Sequence, residues 1–309
     1  MLSQYIENLI QNIPKRDTPY ELDVVLEGGI FNGSYEMGVL LFLKELEKKG
    51  YIHIKRFSGC SVGSMGALKY MLKSVETSIN DWEMFRDQFR QNFNLDVLRE
   101  IIERDTSQMD DETFNRIRKD VLYINYYDGQ NKKQIVKSVF ETREDIRDAI
   151  LKSCHIPYLT NGDCYVTDDG KQFLDGGLPY IFPERYSPHS NKHILYISIS
   201  HFSKLKNMIR TRNETTIHGR ALEGVVDVYN FFQSEKSTLM CSFVDKWSLI
   251  DFTILRMKHI IILMSIYWLS FFKKMGNVVR PYAERYELFH ELIPIWTELT
   301  KDWILYICF

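Results

Sequence analysis

Two short glycine-rich segments, each between a predicted strand and a predicted helix, constrain the fold of this chain more than any other feature. The first reads G-G-I-F-N-G at residues 28–33, and the second reads G-C-S-V-G at residues 59–63. Apolar strands are predicted before them at 22–26 and 52–58, and helical patterns follow both. This βαβ arrangement predicts an α/β fold with a parallel sheet and right-handed crossovers.

The second segment is a G-x-S-x-G pentapeptide with Ser61 at its centre. On a tight turn from strand to helix, this pattern presents a serine hydroxyl as a nucleophile. Gly59 and Gly63 flank the serine because such a turn tolerates little side-chain bulk near the backbone. The pentapeptide alone matches many inert turns, but its position between a strand and a helix favours the nucleophile.

The first segment is predicted to be a loop whose backbone amides approach a developing oxyanion. A phosphate-binding loop is one alternative, but the lysine that such a loop needs is missing. A glycine turn that only packs a helix is the other alternative. Ligands bind at the carboxyl ends of parallel strands, so the two segments are expected to converge there. Together they indicate acyl transfer from an ester.

The rest of the chain predicts further elements of an α/β protein. Residues 75–120 are charged, carry aromatic spacers and predict helices outside the sheet, either as a cap insertion or as ordinary surface helices. Two strands are predicted at 121–127 and 134–140, around an Asp-Gly turn. We assign residues 1–205 to a catalytic domain with this cap, and residues 206–309 to an apolar, helical C-terminal region.

A serine nucleophile needs a base, and Asp175 is a candidate because it directly follows a predicted strand in L-D-G-G-L. Gly176 and Gly177 allow the carboxylate to come close to another backbone loop, although a simple Asp-Gly turn is the alternative. Position alone excludes none of the eight histidines as the base. His155 stands among apolar residues and is expected to be a packed core histidine.

Several motifs in a fixed order carry a resemblance to a known family. The runs G-G-I-F-N-G-S-Y-E-M-G-V-L, G-C-S-V-G-S-M-G-A-L and D-G-G-L resemble those of patatin-like phospholipases. The segment A-I-L-K-S-C-H-I-P-Y-L at 149–159 resembles the stretch that precedes Asp-Gly in that family. The resemblance covers about residues 22–200. It implies a central, mostly parallel sheet flanked by helices in a three-layer sandwich, here with a helical C-terminal extension.

The resemblance also implies a lipid acyl hydrolase of the phospholipase A type, with phospholipid or another acyl lipid as its substrate. Ser61 would be the nucleophile and Asp175 the general base of a dyad that needs no histidine, and we expect no cofactor and no metal. A free carboxylate is a weak base, so we predict a close, dry contact between these two side chains. The oxyanion loop would comprise Gly28, Gly29, Ile30, Phe31, Asn32 and Gly33, supported by Gly59, Gly63, Gly176 and Gly177.

The oxyanion loop departs from the family pattern at two positions. The family usually has a third glycine where this chain has Ile30, and an arginine or lysine where it has Asn32. A β-branched residue strongly disfavours a positive φ, so a loop that needs this conformation at position 30 would be distorted. The loss of the cation removes a charge that could stabilise an oxyanion or a phosphate.

Three other functions stay open on the sequence. An acyltransferase would use the same acyl-enzyme with an alcohol acceptor. A lipid-binding pseudoenzyme would result if the two loop substitutions abolish activity. An α/β-hydrolase triad would need a histidine after Asp175, such as His189, His193 or His201, but Ser61 comes after only two predicted strands, which argues against that fold.

The composition bears on the binding partners, the cysteine chemistry and the cellular location of the protein. The net charge of −2 gives no indication of nucleic-acid binding. The cysteines contain no C-x-x-C pair and predict neither a zinc site nor a disulfide framework; they are Cys60, Cys154, Cys164, Cys241 and Cys308. No secretory signal is recognisable, so we expect an intracellular, cytoplasmic location.

Two apolar segments near the end of the chain raise the question of membrane contact. Residues 260–272 lie between Lys258-His259 and Lys273-Lys274 and would span roughly 20 Å as a helix, less than the ~30 Å of a bilayer core. A buried core helix is the first interpretation. A peripheral membrane contact is the alternative, because aromatic residues and flanking lysines suit a membrane surface. Residues 303–309 add a second apolar segment.

Overall fold

The structure is a computed structural model of the 309-residue chain. It describes residues 2–92, 94–184, 186, 190–204, 208 and 216–283, with the single positions 295, 298, 299 and 302. The chain divides into two compact units, Met1–Trp247 and Ser248–Phe309. In the described part of the chain, every strand lies in the first unit.

A mixed sheet forms the centre of the first unit. Its strands are β1 (Tyr20–Leu26), β2 (Ile52–Cys60), β3 (Lys119–Asp128), β4 (Lys133–Val139), β5 (Val166–Asp168), β6 (Lys171–Asp175), β7 (Lys192–Ile197) and β8 (Cys241–Phe243). Their order is β5-β6-β3-β2-β1-β7-β8, and β4 also pairs with β3. The central strands β3, β2, β1 and β7 are parallel, so the predicted α/β class with a mostly parallel sheet is confirmed.

The pairing of β1 with β2 explains why the two glycine segments meet. The strands are parallel, and Leu26 near the end of β1 lies beside Gly59 near the end of β2. Nearly every residue of β1 is buried, as expected for a strand in the middle of a parallel sheet. Both glycine segments therefore leave the sheet at the same edge.

Nine α-helices are present among the described residues: α1 (Leu2–Ile10), α2 (Gly33–Lys48), α3 (Val62–Met71), α4 (Ser78–Asn92), α5 (Val97–Ser107), α6 (Asp111–Ile117), α7 (Arg143–Ser153), α8 (Ile217–Ser234) and α9 (Leu249–Ala283). The helices predicted within 75–120 are present as α4 to α6, and these three helices together are called the cap below. Helix α7 begins with a capping box, in which Thr142 and Asp145 each bind the backbone amide of the other.

Buried ion pairs attach the cap to α3. The Lys69 ammonium lies 2.6 Å from the Asp81 carboxylate of α4 and 2.7 Å from the Asp105 carboxylate of α5. Arg104 also binds Asp81, at 2.8 Å. Removal of one partner from such a buried cluster leaves an uncompensated charge, which typically costs about 3–5 kcal/mol. The cap and α3 therefore have a fixed relative position.

Helices α2 and α8 approach each other closely through glycines. A Cβ atom added at Gly38 would lie 1.8 Å from the Ala221 carbonyl oxygen, and one added at Gly224 would lie 2.0 Å from the Tyr35 carbonyl oxygen. Any larger residue at either position would push the helices apart. This contact matters for the site because the N-terminus of α2 follows directly on the first glycine segment.

The second unit is described mainly through α9, whose 35 residues include the apolar run at 260–272. Most of its described side chains are exposed: Ile261 is 58%, Trp268 is 53% and Phe271 is 50% accessible to solvent. The interpretation as a buried core helix was therefore wrong. In the described part of the chain, no helix combines the length and apolar character needed to span a bilayer. Residues 303–309 lie outside the described residues.

Candidate active site

Ser61 lies on a strained turn between β2 and α3. Its backbone has φ of +52° and ψ of −132°, which is rare for a residue other than glycine and costs about 1–3 kcal/mol. Gly59 and Gly63 make the turn possible. A Cβ atom at Gly59 would lie 2.5 Å from the Gly63 carbonyl oxygen, and one at Gly63 would lie 2.6 Å from the Leu26 carbonyl oxygen. The G-x-S-x-G pattern predicts this turn because only glycine fits at these two positions.

A chain of hydrogen bonds supports the turn from behind. The Ser61 amide donates to the Ser153 hydroxyl at 2.8 Å, and that hydroxyl donates to the Asn125 carbonyl oxygen at 2.7 Å. Ser153 ends α7 and Asn125 lies on β3. Neither residue has a role that the sequence predicts, although Ser153 falls within the segment 149–159 that resembles the family.

Asp175 ends β6 and lies beside the serine. The Ser61 side chain is near enough to the Asp175 carboxyl to lower its pKa as a hydrogen-bonding partner does. The Gly177 amide donates to Asp175 Oδ1 at 2.7 Å, and the Asp175 amide donates to the His155 carbonyl oxygen at 2.9 Å. Gly177 has a φ of +70°, which favours glycine, so the D-G-G sequence suits the turn that aims the carboxylate at Ser61.

The surroundings of Asp175 make it a stronger base than a free aspartate. Burial raises its pKa to about 6, while hydrogen bonds from Ser61 and Gly177 lower the pKa and offset part of that effect. At neutral pH the carboxylate is therefore largely ionised yet has a higher proton affinity than in water. Burial, reinforced by the charge of Asp175, raises the pKa of the Cys60 and Cys154 thiols, so neither competes as a thiolate.

The first glycine segment lies against the serine. A Cβ atom added at Gly28 would lie 2.9 Å from Ser61 Cβ. Residues Ile30–Asn32 form a short 3₁₀ helix that leads into α2 at Gly33. Among the described residues, the amides of Gly29, Ile30 and Phe31 have no backbone hydrogen-bond partner. Unpaired amides at a helix N-terminus attract negative charge, which suits an oxyanion.

Ile30 adopts the conformation that the sequence analysis identified as unfavourable for it. Its φ is +45°, although a β-branched side chain is a true outlier in this region. The loop therefore has at position 30 the backbone conformation that favours glycine, although the residue is isoleucine. The strain that the sequence suggested lies in the backbone of Ile30.

We expect Ile30→Gly to raise the free energy of unfolding by about 1 kcal/mol, because relief of about 1–3 kcal/mol of strain exceeds the entropic cost of glycine. Denaturant unfolding measures the change. Ile30→Val is the matched control, since it keeps the β-branch and the strain and should not gain stability. A glycine variant less stable than the valine variant would show that the loop tolerates isoleucine without strain.

Asn32 and a distant arginine anchor the loop where the family usually has a cation. The Asn32 side-chain amide donates to the carbonyl oxygens of Ile199 at 2.7 Å and Lys204 at 3.0 Å, which ties the loop to the chain after β7. The Arg220 guanidinium of α8 donates to the Phe31 carbonyl oxygen at 3.3 Å. A cation thus contacts the loop from another element. Sequence reasoning missed it because the two residues are 189 positions apart.

The histidines that a triad would need have other surroundings. His193 binds Asp245 at 3.0 Å, and the exposed His201 binds Ser203 at 3.1 Å. His155 is buried, which lowers the pKa of its imidazole, and it contributes its backbone carbonyl to Asp175. His189 lies outside the described residues. Asp175 reaches Ser61 directly, without an intervening imidazole.

A family model for patatin-like phospholipase matches residues 24–186, which is more than half of the chain. The chain belongs to the patatin-like phospholipase family. The crystal structure of VipD from Legionella pneumophila is similar at 13% sequence identity, with a TM-score of 0.35, over 59% of this chain and 52% of that one. This chain thus spans about half the length of that structure. No curated protein matches the chain.

Proposed function

We propose that the protein is a lipid acyl hydrolase of the phospholipase A type that acts through Ser61 and Asp175. Membership of the family supports an acyl hydrolase as a class. The observation that carries the finer proposal is the interaction of the Ser61 side chain with the buried Asp175 carboxyl, beside a loop whose amides have no backbone partner among the described residues. The raised pKa of Asp175 supports its role as the base.

In this mechanism the Ser61 hydroxyl attacks the ester carbonyl while Asp175 accepts its proton. The amides of Gly29, Ile30 and Phe31 stabilise the negative oxygen of the tetrahedral intermediate. Collapse of the intermediate leaves the acyl group on Ser61, and Asp175 returns the proton to the departing alcohol. Water then attacks the acyl-enzyme with Asp175 again as the base, and the fatty acid is released.

We propose that residues 1–205 carry the catalytic elements, since both members of the dyad and the oxyanion loop lie there. Residues 216–247 add α8 and β8 to the same compact unit. An intracellular, cytoplasmic location remains part of the proposal. It is supported by buried free thiols, which suit a reducing compartment; they are Cys60, Cys154, Cys164 and Cys241.

The test of the function is the release of fatty acid from vesicles of a single phosphatidylcholine, with chromatographic analysis of the products. Hydrolysis predicts free fatty acid and lysophospholipid in equal amounts. Transfer of the acyl group to an added alcohol at the expense of free acid would favour the acyltransferase. An absence of both products, together with no labelling of Ser61 by a fluorophosphonate probe, would favour the pseudoenzyme.

We also propose that α9 gives the protein a peripheral contact with the substrate membrane. Its exposed apolar side chains include Trp268 and Phe271, and lysines flank the run at Lys258 and Lys273. Aromatic residues and lysines are typical of helices that lie in the membrane interface.

We expect the double variant Trp268→Ser and Phe271→Ser to bind phospholipid vesicles at least about tenfold more weakly, because two large apolar contacts are lost. Co-sedimentation with vesicles measures the binding. Leu239→Ser is the matched control, since Leu239 is an exposed apolar residue of the first unit at 43% accessibility. Equal binding of vesicles by the double variant and the control would show that α9 does not contact the membrane.

A further inference from the structure

A narrow cavity of about 40 Å³ lies between α2, α3 and the cap. Its lining is mainly apolar, with Met37, Leu40, Met65, Trp82, Phe85 and Ile101 among its residues. Two further lining residues connect it to the candidate active site. Gly33 directly follows the oxyanion loop, and Val62 directly follows Ser61. Ser61 and Asp175 do not line the cavity themselves, but its wall includes the residues that directly follow the oxyanion loop and Ser61, and it continues along α3 past Met65 and Gly66.

One polar side chain in this lining has an unused hydrogen-bonding atom. Glu36 is 1% accessible to solvent, and its Oε2 atom has no partner among the described residues. The chain makes room for this side chain, since a Cβ atom added at Gly66 of α3 would lie 2.2 Å from Glu36 Oε1. The charged residues Lys69 and Asp81 also line the cavity, but they bind each other.

The surroundings of Glu36 favour its protonated form, which can donate a hydrogen bond. Burial, and then the charge of Glu27, raise the pKa of Glu36 well above its usual range. Glu27 is also buried, but it accepts hydrogen bonds from the Ser198 hydroxyl at 2.8 Å and the Ser200 amide at 3.0 Å. A buried polar atom without a partner destabilises the fold, and a ligand that supplies the partner removes that cost.

We propose, on the basis of the proposed acyl hydrolysis, that this cavity receives the acyl chain of the substrate and that Glu36 binds an oxygen substituent on that chain, such as a hydroxyl. Gly66, which faces Glu36, comes five residues after Ser61, or roughly 7.5 Å along α3. The substituent would therefore stand several carbons from the ester. The flexible side chains of Met37 and Met65 can move to admit the chain.

The test compares two esters of equal chain length, one with a mid-chain hydroxyl and one without. The wild-type enzyme is expected to prefer the hydroxylated ester by about tenfold or more in kcat/KM, because a site with a buried polar group discriminates against a ligand that leaves it unpaired. Glu36→Met should reduce this ratio to near one, whereas Glu36→Gln, which still donates, should retain a preference. Glu45→Met on the same helix is the control and should keep the wild-type ratio.

A second measurement separates this inference from the proposed function. Calorimetry on Ser61→Ala measures binding of the free hydroxylated and unsubstituted fatty acids, and it needs no turnover. Tighter binding of the hydroxylated acid that is lost in Ser61→Ala with Glu36→Met supports the inference, even if the wild type releases no fatty acid and the proposed function fails. Equal binding of the two acids by Ser61→Ala overturns it, whether or not the methionine variant folds.

Discussion

Ser61→Ala is expected to abolish the release of fatty acid, with kcat lower by at least about 10⁴-fold, because the variant cannot form the acyl-enzyme. The fold should survive, since the Ser61 amide and not its hydroxyl makes the bond to Ser153. Chromatography of the released fatty acid measures the rate. Intact mass after treatment with a fluorophosphonate probe measures the occupancy of the nucleophile, which should fall to zero.

Ser74→Ala is the control for this prediction. Ser74 lies on the loop after α3, outside the site, and its variant should keep wild-type release and full labelling. Release of fatty acid by Ser61→Ala at a rate near that of the wild type would contradict the assignment of the nucleophile. Labelling of Ser61 without any release would instead indicate an intact nucleophile with an incompetent oxyanion loop, for which Ile30 is the first residue to replace.

Asp175→Asn is expected to lower kcat by about 10²–10⁴-fold, because asparagine keeps an oxygen for the Gly177 amide but cannot take up a proton. The pH profile gives a second readout. Only the ionised carboxylate is a base, so kcat/KM of the wild type should fall as the pH drops through about 6. The residual activity of the asparagine variant should lose this dependence. Asp169→Asn, on an exposed turn, is the matched control and should keep both rate and profile.

The same substitution should change stability in the opposite direction to activity. The pKa of Asp175 is raised from 3.8 to about 6 on folding, so the folded state favours the protonated carboxyl. This contribution to stability is complete below about pH 4 and is lost as the pH rises through about 6. Asp175→Asn should therefore have a higher Tm than the wild type above pH 6, and the difference should close below pH 4.

If Asp175→Asn kept the wild-type rate, another group would have to accept the proton of Ser61. The histidines of the triad alternative would then be the candidates. A lower Tm for this variant at pH 8 would show that the carboxylate is stabilised by its surroundings, contrary to its raised pKa. Thermal unfolding and initial rates on the same preparations give both answers.

The sequence was most informative where local rules decide the structure. A buried strand, a glycine turn and an amphipathic helix are local patterns, so the α/β class and the meeting of both glycine segments at one sheet edge follow from residues 22–73 alone. The resemblance of the motifs to the family also predicts a contact between Ser61 and Asp175, and in the structure the Ser61 side chain is near enough to lower the pKa of Asp175. Their catalytic roles stay a prediction.

Features that depend on distant parts of the chain were beyond the sequence analysis. Arg220 reaches Phe31 only because α8 packs on α2, and no local pattern specifies that partner. The sequence predicted strain at Ile30 only if the loop needs a positive φ there, because a single sequence does not give a backbone dihedral angle. The exposure of α9 was missed because an apolar run of limited length favours a buried helix on average.

The close crossing of α2 and α8 sets a practical limit on how far this protein can be shortened. A fragment ending at residue 186, where the family match ends, or at residue 205 would lose α8 altogether. The face of α2 around Tyr35 and Gly38 would then be open to water, and the Phe31 carbonyl would lose Arg220. The smallest fragment that folds on its own should therefore extend to Trp247, well past the recognisable motifs.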